Sequence, residues 1–66
     1  MNPSDFIFTN IYKGSLAKGV EEKIAHEQAQ IGMDDYYKNK FVNASKLIND
    51  KITMAVKLQK KVGGEK

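Results

Sequence analysis

The chain has 66 residues, of which 41% are hydrophobic, and it contains no cysteine and no arginine. A chain this short forms one domain at most, and its core is small because only about 60% of the unfolded surface becomes buried. Without cysteine, disulfides and thiolate metal sites are excluded, and a reducing, cytoplasmic location is favoured. The net charge of +3 comes with eleven lysines. Lysine without arginine, together with many asparagines, suggests an AT-rich bacterial genome or one of its phages.

Residues 1–14 are predicted to form a short helix or an arm. Asn2 is a suitable capping residue and Pro3 suits the first helical position. Lys13-Gly14 is typical of a helix end. Residues 6–12 also have strand-like propensity, but we favour a helix from 3 to 13 because the chain offers no second strand. The apolar run in this segment is too short and too polar for a signal sequence or a membrane span.

A second helix is predicted over residues 15–31, with Ser15 as its cap. Apolar residues recur along it at helical spacing and form one narrow stripe. Gly32 is typical of the left-handed residue that ends a helix, and Asp34 suits the cap of the next one. The pattern therefore predicts a tight turn at residues 32–34. The stripe consists of Leu16, Ala17, Val20, Ile24 and Ile31.

A third, long helix is predicted over residues 34–62, followed by a frayed tail at 63–66. The segment has no internal glycine or proline, and Gly63-Gly64 stops it. It would be roughly 42 Å long at 1.5 Å per residue. Its apolar sector is wider than one helix partner needs. The main face holds Tyr37, Phe41, Ala44, Ser45, Ile48, Ile52, Ala55, Val56, Gln59 and Val62, and a flanking line holds Tyr36, Leu47, Met54 and Leu58.

These elements predict an all-α single domain. The expected architecture is an antiparallel helical hairpin with a long C-terminal helix and a short N-terminal helix or arm. Small domains without disulfides or metals often need a second subunit. We therefore expect dimerisation to complete the structure as a bundle.

Two segments resemble known functional motifs, but neither matches its motif in full. His26-Glu27 begins like a zinc-protease helix, but Gln30 occupies the position of the second histidine. The segment around Gly32 resembles the turn of a helix-turn-helix, yet Asp34 and Asp35 would face DNA phosphates with the wrong sign. We interpret His26 as a solvent-facing residue with a weak Glu22 contact. No catalytic, metal or cofactor site is expected.

Function is therefore predicted from surfaces. The first hypothesis is a non-enzymatic interaction or regulatory protein that forms a homodimer, and the same face could instead bind a host protein. Tyr37 is assigned to the core and Tyr36 to an interface. A second hypothesis is a nucleic-acid accessory protein that binds without sequence preference through Lys46, Lys57, Lys60 and Lys61. The predicted interface residues are Tyr36, Leu47, Ile48, Ile52, Met54, Val56, Leu58 and Val62.

Overall fold

The computed structural model describes residues 3–39 and 43–63, with side chains described over 5–39 and 43–61. Over these ranges the chain is helical, without strands, and forms α1 (Pro3–Ala17), α2 (Glu22–Lys38) and α3 (Ala44–Gly63). The all-α prediction is confirmed for this part of the chain. The predicted tail falls on 64–66, outside the described residues, apart from Gly63, which is the last residue of α3.

The three helices run up, down and up. α2 and α3 are antiparallel, because Asp35 near the end of α2 pairs with Lys51 early in α3 at 2.9 Å. At the other end of the pair, the Glu21 backbone N–H donates to the Gln59 side chain at 2.8 Å. α1 is antiparallel to α2, since the Tyr12 hydroxyl near its end bonds Glu22 at the start of α2. The result is a three-helix bundle within one chain.

Among the side chains that the structure describes, two apolar clusters hold the bundle together. In the first, all three helices contribute buried side chains, and partly buried aromatic rings pack around them. The second lies nearer the turn between α1 and α2 and continues into the later half of α3. Burial of such side chains is the main source of stability in a small domain. The buried members are Ile7, Ile11, Ala29 and Leu47 in the first cluster and Val20, Ile24, Ala25 and Ala55 in the second.

The first helix is longer than its sequence predicts. It begins at Pro3 as expected, but it passes through Gly14 and ends at Ala17. The predicted stop at Lys13-Gly14 is wrong, because Gly14 serves close packing: a Cβ atom there would overlap the Ile52 side chain of α3. Ser15 was predicted to cap the second helix, but it is fully buried within α1.

Gly19, two residues beyond the last helical residue Ala17, is the glycine that terminates α1. It has a φ of +87°, in the left-handed region that glycine tolerates best. The Val20 N–H donates to the Ser15 carbonyl at 3.1 Å, and the Gly19 N–H donates to the Leu16 carbonyl at 3.0 Å. This pair of bonds is a Schellman motif, which satisfies carbonyls left unpaired at a helix end. Val20 is buried just after it, so the turn also anchors the second cluster.

The predicted turn at residues 32–34 is wrong as well. α2 continues through Gly32 to Lys38. Gly32 is buried, and a Cβ atom on it would overlap Cδ1 of Ile11 and lie 3.2 Å from Cγ of Lys51. The glycine therefore lets α1 and α3 approach α2 closely. Asp34 does not cap a helix but forms an ion pair with Lys38 one turn later, at 3.2 Å.

The long helix predicted over 34–62 is two helices. α2 ends at Lys38, and Asn39 has φ −136° and ψ 89°, which are not helical values. α3 begins after Asn43, whose side-chain oxygen accepts the Lys46 N–H at 3.1 Å. Its backbone carbonyl accepts the Leu47 N–H at 2.9 Å. Asn43 is thus the N-cap of α3, since an asparagine oxygen replaces the missing intrahelical acceptor.

We expect Gly32→Ala to destabilise the protein, by up to about 2 kcal/mol, because overpacking costs about 1–3 kcal/mol and alanine's better helix propensity recovers about 1. In an Ile11→Val background, which removes the overlapping Cδ1 atom, the same substitution should be neutral or stabilising. Urea unfolding of the four proteins in this double-mutant cycle measures the coupling. Equal effects of Gly32→Ala in both backgrounds would show that Ile11 and Gly32 do not contact each other.

We expect Ser15→Ala to raise the melting temperature. The Ser15 hydroxyl is buried without a hydrogen-bond partner, and burying an unpaired hydroxyl costs about 1–3 kcal/mol. Alanine removes that cost and is the better helix former. Ser45→Ala, at an exposed position in the first turn of α3, is the control and should change stability little. A lower melting temperature for Ser15→Ala would mean that the hydroxyl is bonded.

Candidate interaction surface

Most of the predicted interface residues lie within the bundle. Leu47 is only 6% exposed and belongs to the first cluster. Tyr36 and Ile48 are half-buried against that cluster, while Val56 and Leu58 are half-buried against the second. The wide apolar sector of the C-terminal segment is therefore largely covered by α1 and α2 of the same chain. These five side chains have limited area left for another molecule.

Of the other three predicted interface residues, the two whose side chains are described differ in how exposed they are. Ile52 is half-buried beside Gly14 of α1. Met54 is 46% exposed and remains available to a partner. The side chain of Val62 lies outside the described residues. Of the predicted interface residues whose side chains are described, Met54 is therefore the one with a large apolar side chain on the surface.

The two adjacent tyrosines have the reverse of their predicted roles. Tyr36 packs against the first cluster, and Tyr37 is 56% exposed. The reason is that both tyrosines belong to α2, where Tyr36 falls on the buried face. Because α2 continues past Gly32, Tyr36 follows Ala29 by seven residues and Gly32 by four, which places all three on one buried face.

A surface patch forms where α2 and α3 meet, on the side away from α1. Ile31 precedes Asp35 by one turn on α2, and Met54 follows Lys51 by almost one turn on α3. Because the helices are antiparallel and that ion pair joins them, the two apolar residues lie at similar heights along the helix pair. Ile31 is 45% exposed and Met54 is 46% exposed. We call this pair the seam patch.

Charges of opposite sign border the seam patch. Glu27 lies one turn before Ile31 on α2, and Lys57 lies almost one turn after Met54 on α3. Both side chains are exposed. The acid is therefore on the α2 side of the patch and the base on the α3 side.

The apolar surface continues from the seam patch around the outside of α2. A shallow groove of about 410 Å³ there is lined by Gln30, Ile31, Met33, Asp34 and Tyr37. Its apolar walls come from one helix alone, so it is open to solvent on the other side. Ile31 belongs to both features and is the residue at which they join.

The sole histidine packs against aromatic rings. The His26 ring meets Phe8 edge-on, with centroids 5.3 Å apart, and Tyr12 at 6.4 Å. The Tyr12 hydroxyl donates to Glu22 at 2.8 Å. That hydrogen bond, with smaller effects of burial and of the carboxylate charge, raises the pKa of Tyr12 above its ordinary value. His26 is exposed, as predicted, but its contacts are aromatic and tie α2 to α1.

The lysines predicted to contact nucleic acid are all exposed: Lys46, Lys57, Lys60 and Lys61. Their spacing along α3 places them within about 100° of one another around the helix, at 100° per residue. Asp50 lies within the same sector and reduces its positive charge. The arrangement is an outer face rather than a cleft.

Among residues 3–39 and 43–63, no cluster of three or more histidine, cysteine or acidic side chains is placed to hold a metal ion. None of the helices described is both long enough and apolar enough to cross a membrane. Comparisons with protein-family models, with curated proteins and with solved structures found no match.

Sequence reasoning did not include Ile31 in the interface. It was assigned to the buried stripe of the second helix because it follows Ile24 by seven residues. In the structure Ile24 is 7% exposed and Ile31 is 45% exposed. The stripe runs along the edge of α2 and leaves the core before Ile31. Leu16, also assigned to that stripe, is 39% exposed at the end of α1.

Proposed function

We propose that the protein is a small non-enzymatic interaction module that associates with a second copy of itself through the seam patch. The observation that supports this proposal best is the exposure of Ile31 and Met54, at 45% and 46%, on two helices that the Asp35–Lys51 ion pair joins. Contiguous apolar surface marks interaction sites, and the groove lined by Ile31, Met33 and Tyr37 extends this pair. The lack of cysteine fits a cytoplasmic location, which we include in the proposal.

A second copy suits the seam patch because of how its charges are arranged. A two-fold axis parallel to the helices places α2 of one chain over α3 of the other. Each Glu27 then lies near the height of the partner's Lys57, and the apolar pairs face one another. An interface of this kind is self-complementary. It brings α2 and α3 of both chains together in an arrangement like that of a four-helix bundle.

The expected dimer is weak. A standard interface buries about 800 Å² on each partner, whereas the whole chain exposes 4579 Å². Such an interface would take about a sixth of the surface, and the seam patch supplies only its centre. We therefore expect a dimer whose population rises with protein concentration. A chain that stays monomeric at all concentrations would contradict a second copy as the partner and leave a host protein as the alternative.

Met54→Glu should abolish the dimer, because it places a carboxylate at the centre of an apolar contact. Sedimentation velocity over a wide concentration range measures the change in mass. Phe6→Glu is the matched control, since Phe6 is 48% exposed on α1, away from the seam patch. The control should associate like the unchanged protein. Equal loss of association in both variants would show that general surface apolarity is responsible.

A charge exchange tests the orientation of the two copies. Glu27→Lys and Lys57→Glu should each weaken the dimer, because each places like charges opposite one another. The double variant should recover affinity, since the opposite charges are restored across the axis. Circular dichroism confirms that all three remain helical. Failure of the double variant to recover would exclude this two-fold arrangement, although another arrangement could use the same apolar residues.

A second candidate function is nucleic-acid binding without sequence preference. The observation that favours it is the shared outer face of four exposed lysines on α3. We expect a gel shift with DNA duplexes of unrelated sequence at low salt that decreases steeply as salt increases. Replacing all four lysines with glutamine should remove the shift. Retention of the shift in that variant, or no complex even at low salt, would eliminate this function. The lysines concerned are Lys46, Lys57, Lys60 and Lys61.

A further inference from the structure

A second groove lies between the end of α1 and the later half of α3. It has a volume of about 310 Å³ and is lined by Lys18, Ile52, Thr53, Val56, Lys57 and Lys60. We call it the α1–α3 groove. It is on the opposite side of α3 from the seam patch, because Ile52 and Val56 face α1 whereas Met54 lies on the flank toward α2.

The floor of this groove is formed by apolar side chains of α3 that α1 leaves partly uncovered, because α1 ends before α3 does. α1 and α3 run in the same direction, and Gly14 of α1 lies against Ile52. α1 ends one turn later, at Ala17, whereas α3 continues to Gly63. Val56, one turn beyond Ile52, is therefore only partly covered and remains half-buried. The groove is the space left open by the shorter helix.

The rim of the groove is positive throughout. Three of its six lining residues are lysines and none is acidic. The salt bridges found among the described residues join Lys38 to Asp34 and Lys51 to Asp35, so none of the three rim lysines takes part in one of them. Ammonium groups gathered at one place repel one another. An anion that enters the groove relieves that repulsion.

We propose that the α1–α3 groove binds a free single-chain amphipathic anion of the fatty-acid class. Its acidic head would lie among Lys18, Lys57 and Lys60, and its chain would cover Ile52 and Val56. The volume is at the small end of the range for small-molecule sites, which begins at about 300 Å³. A polyanion such as DNA gains nothing from the apolar floor, and a neutral apolar molecule gains nothing from the rim.

The test is a titration of the ¹⁵N-labelled protein with sodium decanoate below its micellar concentration, followed by amide chemical shifts. We expect saturable shifts at residues of the groove. Sodium acetate, which has the head without the chain, and octyl glucoside, which has a chain without charge, should each bind at least tenfold more weakly. Affinity for decanoate should fall as salt increases, because exposed charges are screened.

A matched pair of variants separates this site from overall charge. Lys18→Gln with Lys60→Gln should weaken decanoate binding at least tenfold, whereas Lys23→Gln with Lys46→Gln should leave it unchanged. Both pairs remove two positive charges from exposed positions, and both should retain helicity by circular dichroism. Equal weakening in the two pairs would overturn the proposal, as would shifts that map to the seam patch.

Vesicles distinguish a free amphiphile from a lipid surface. We expect the protein to remain in the supernatant when vesicles of three parts phosphatidylcholine to one part phosphatidylglycerol are sedimented. Sedimentation with these vesicles in a manner that depends on Lys18 and Lys60, without saturable binding of decanoate, would assign the rim to a membrane surface instead. A single-stranded oligonucleotide that binds with the same lysine dependence in place of decanoate would likewise overturn the proposal.

Discussion

The close contact of α1 with both of its neighbours is the constraint on which the bundle depends. Two glycines make it possible: Gly14 leaves room for Ile52, and Gly32 leaves room for Ile11. Ile11 is fully buried, so it cannot swing away from a larger residue at position 32 without disturbing the first cluster. Glycine within a helix costs about 1 kcal/mol relative to alanine. Here that cost is offset by interhelical contact that no residue with a Cβ atom would permit.

The same contact decides which surfaces remain for other molecules. By packing along α3, α1 covers apolar side chains that the C-terminal segment would otherwise expose, such as Ile48. What stays open lies beyond its reach: the seam patch on the far side of α2 and α3, and the α1–α3 groove past the end of α1. Much of the wide apolar sector is therefore covered by helices of the same chain. The proposed dimer uses the apolar surface that these three helices leave exposed.

The helical content of the chain was predictable from its sequence, but the boundaries were not. The start at Pro3 was found because proline has one favoured place in a helix. Gly14 and Gly32 were interpreted as helix ends, and Gly19 was not, although Gly19 is the one with positive φ among residues 3–39 and 43–63. A local pattern cannot separate these cases, because glycine suits both a left-handed turn and a close helix contact. Placing Tyr36 on one helix with the residues of α3, rather than on α2, gave it the wrong face. The seven-residue spacing from Ile24 concealed the exposure of Ile31.

The two proposed surfaces are linked through Lys57. It borders the seam patch on α3, and it also lines the α1–α3 groove. A lysine side chain is long and flexible, so its ammonium group can serve either side of the helix, but not both at once. Pairing with Glu27 of a second copy would withdraw one positive charge from the groove. By thermodynamic reciprocity, an anion in the groove would weaken the dimer by the same factor.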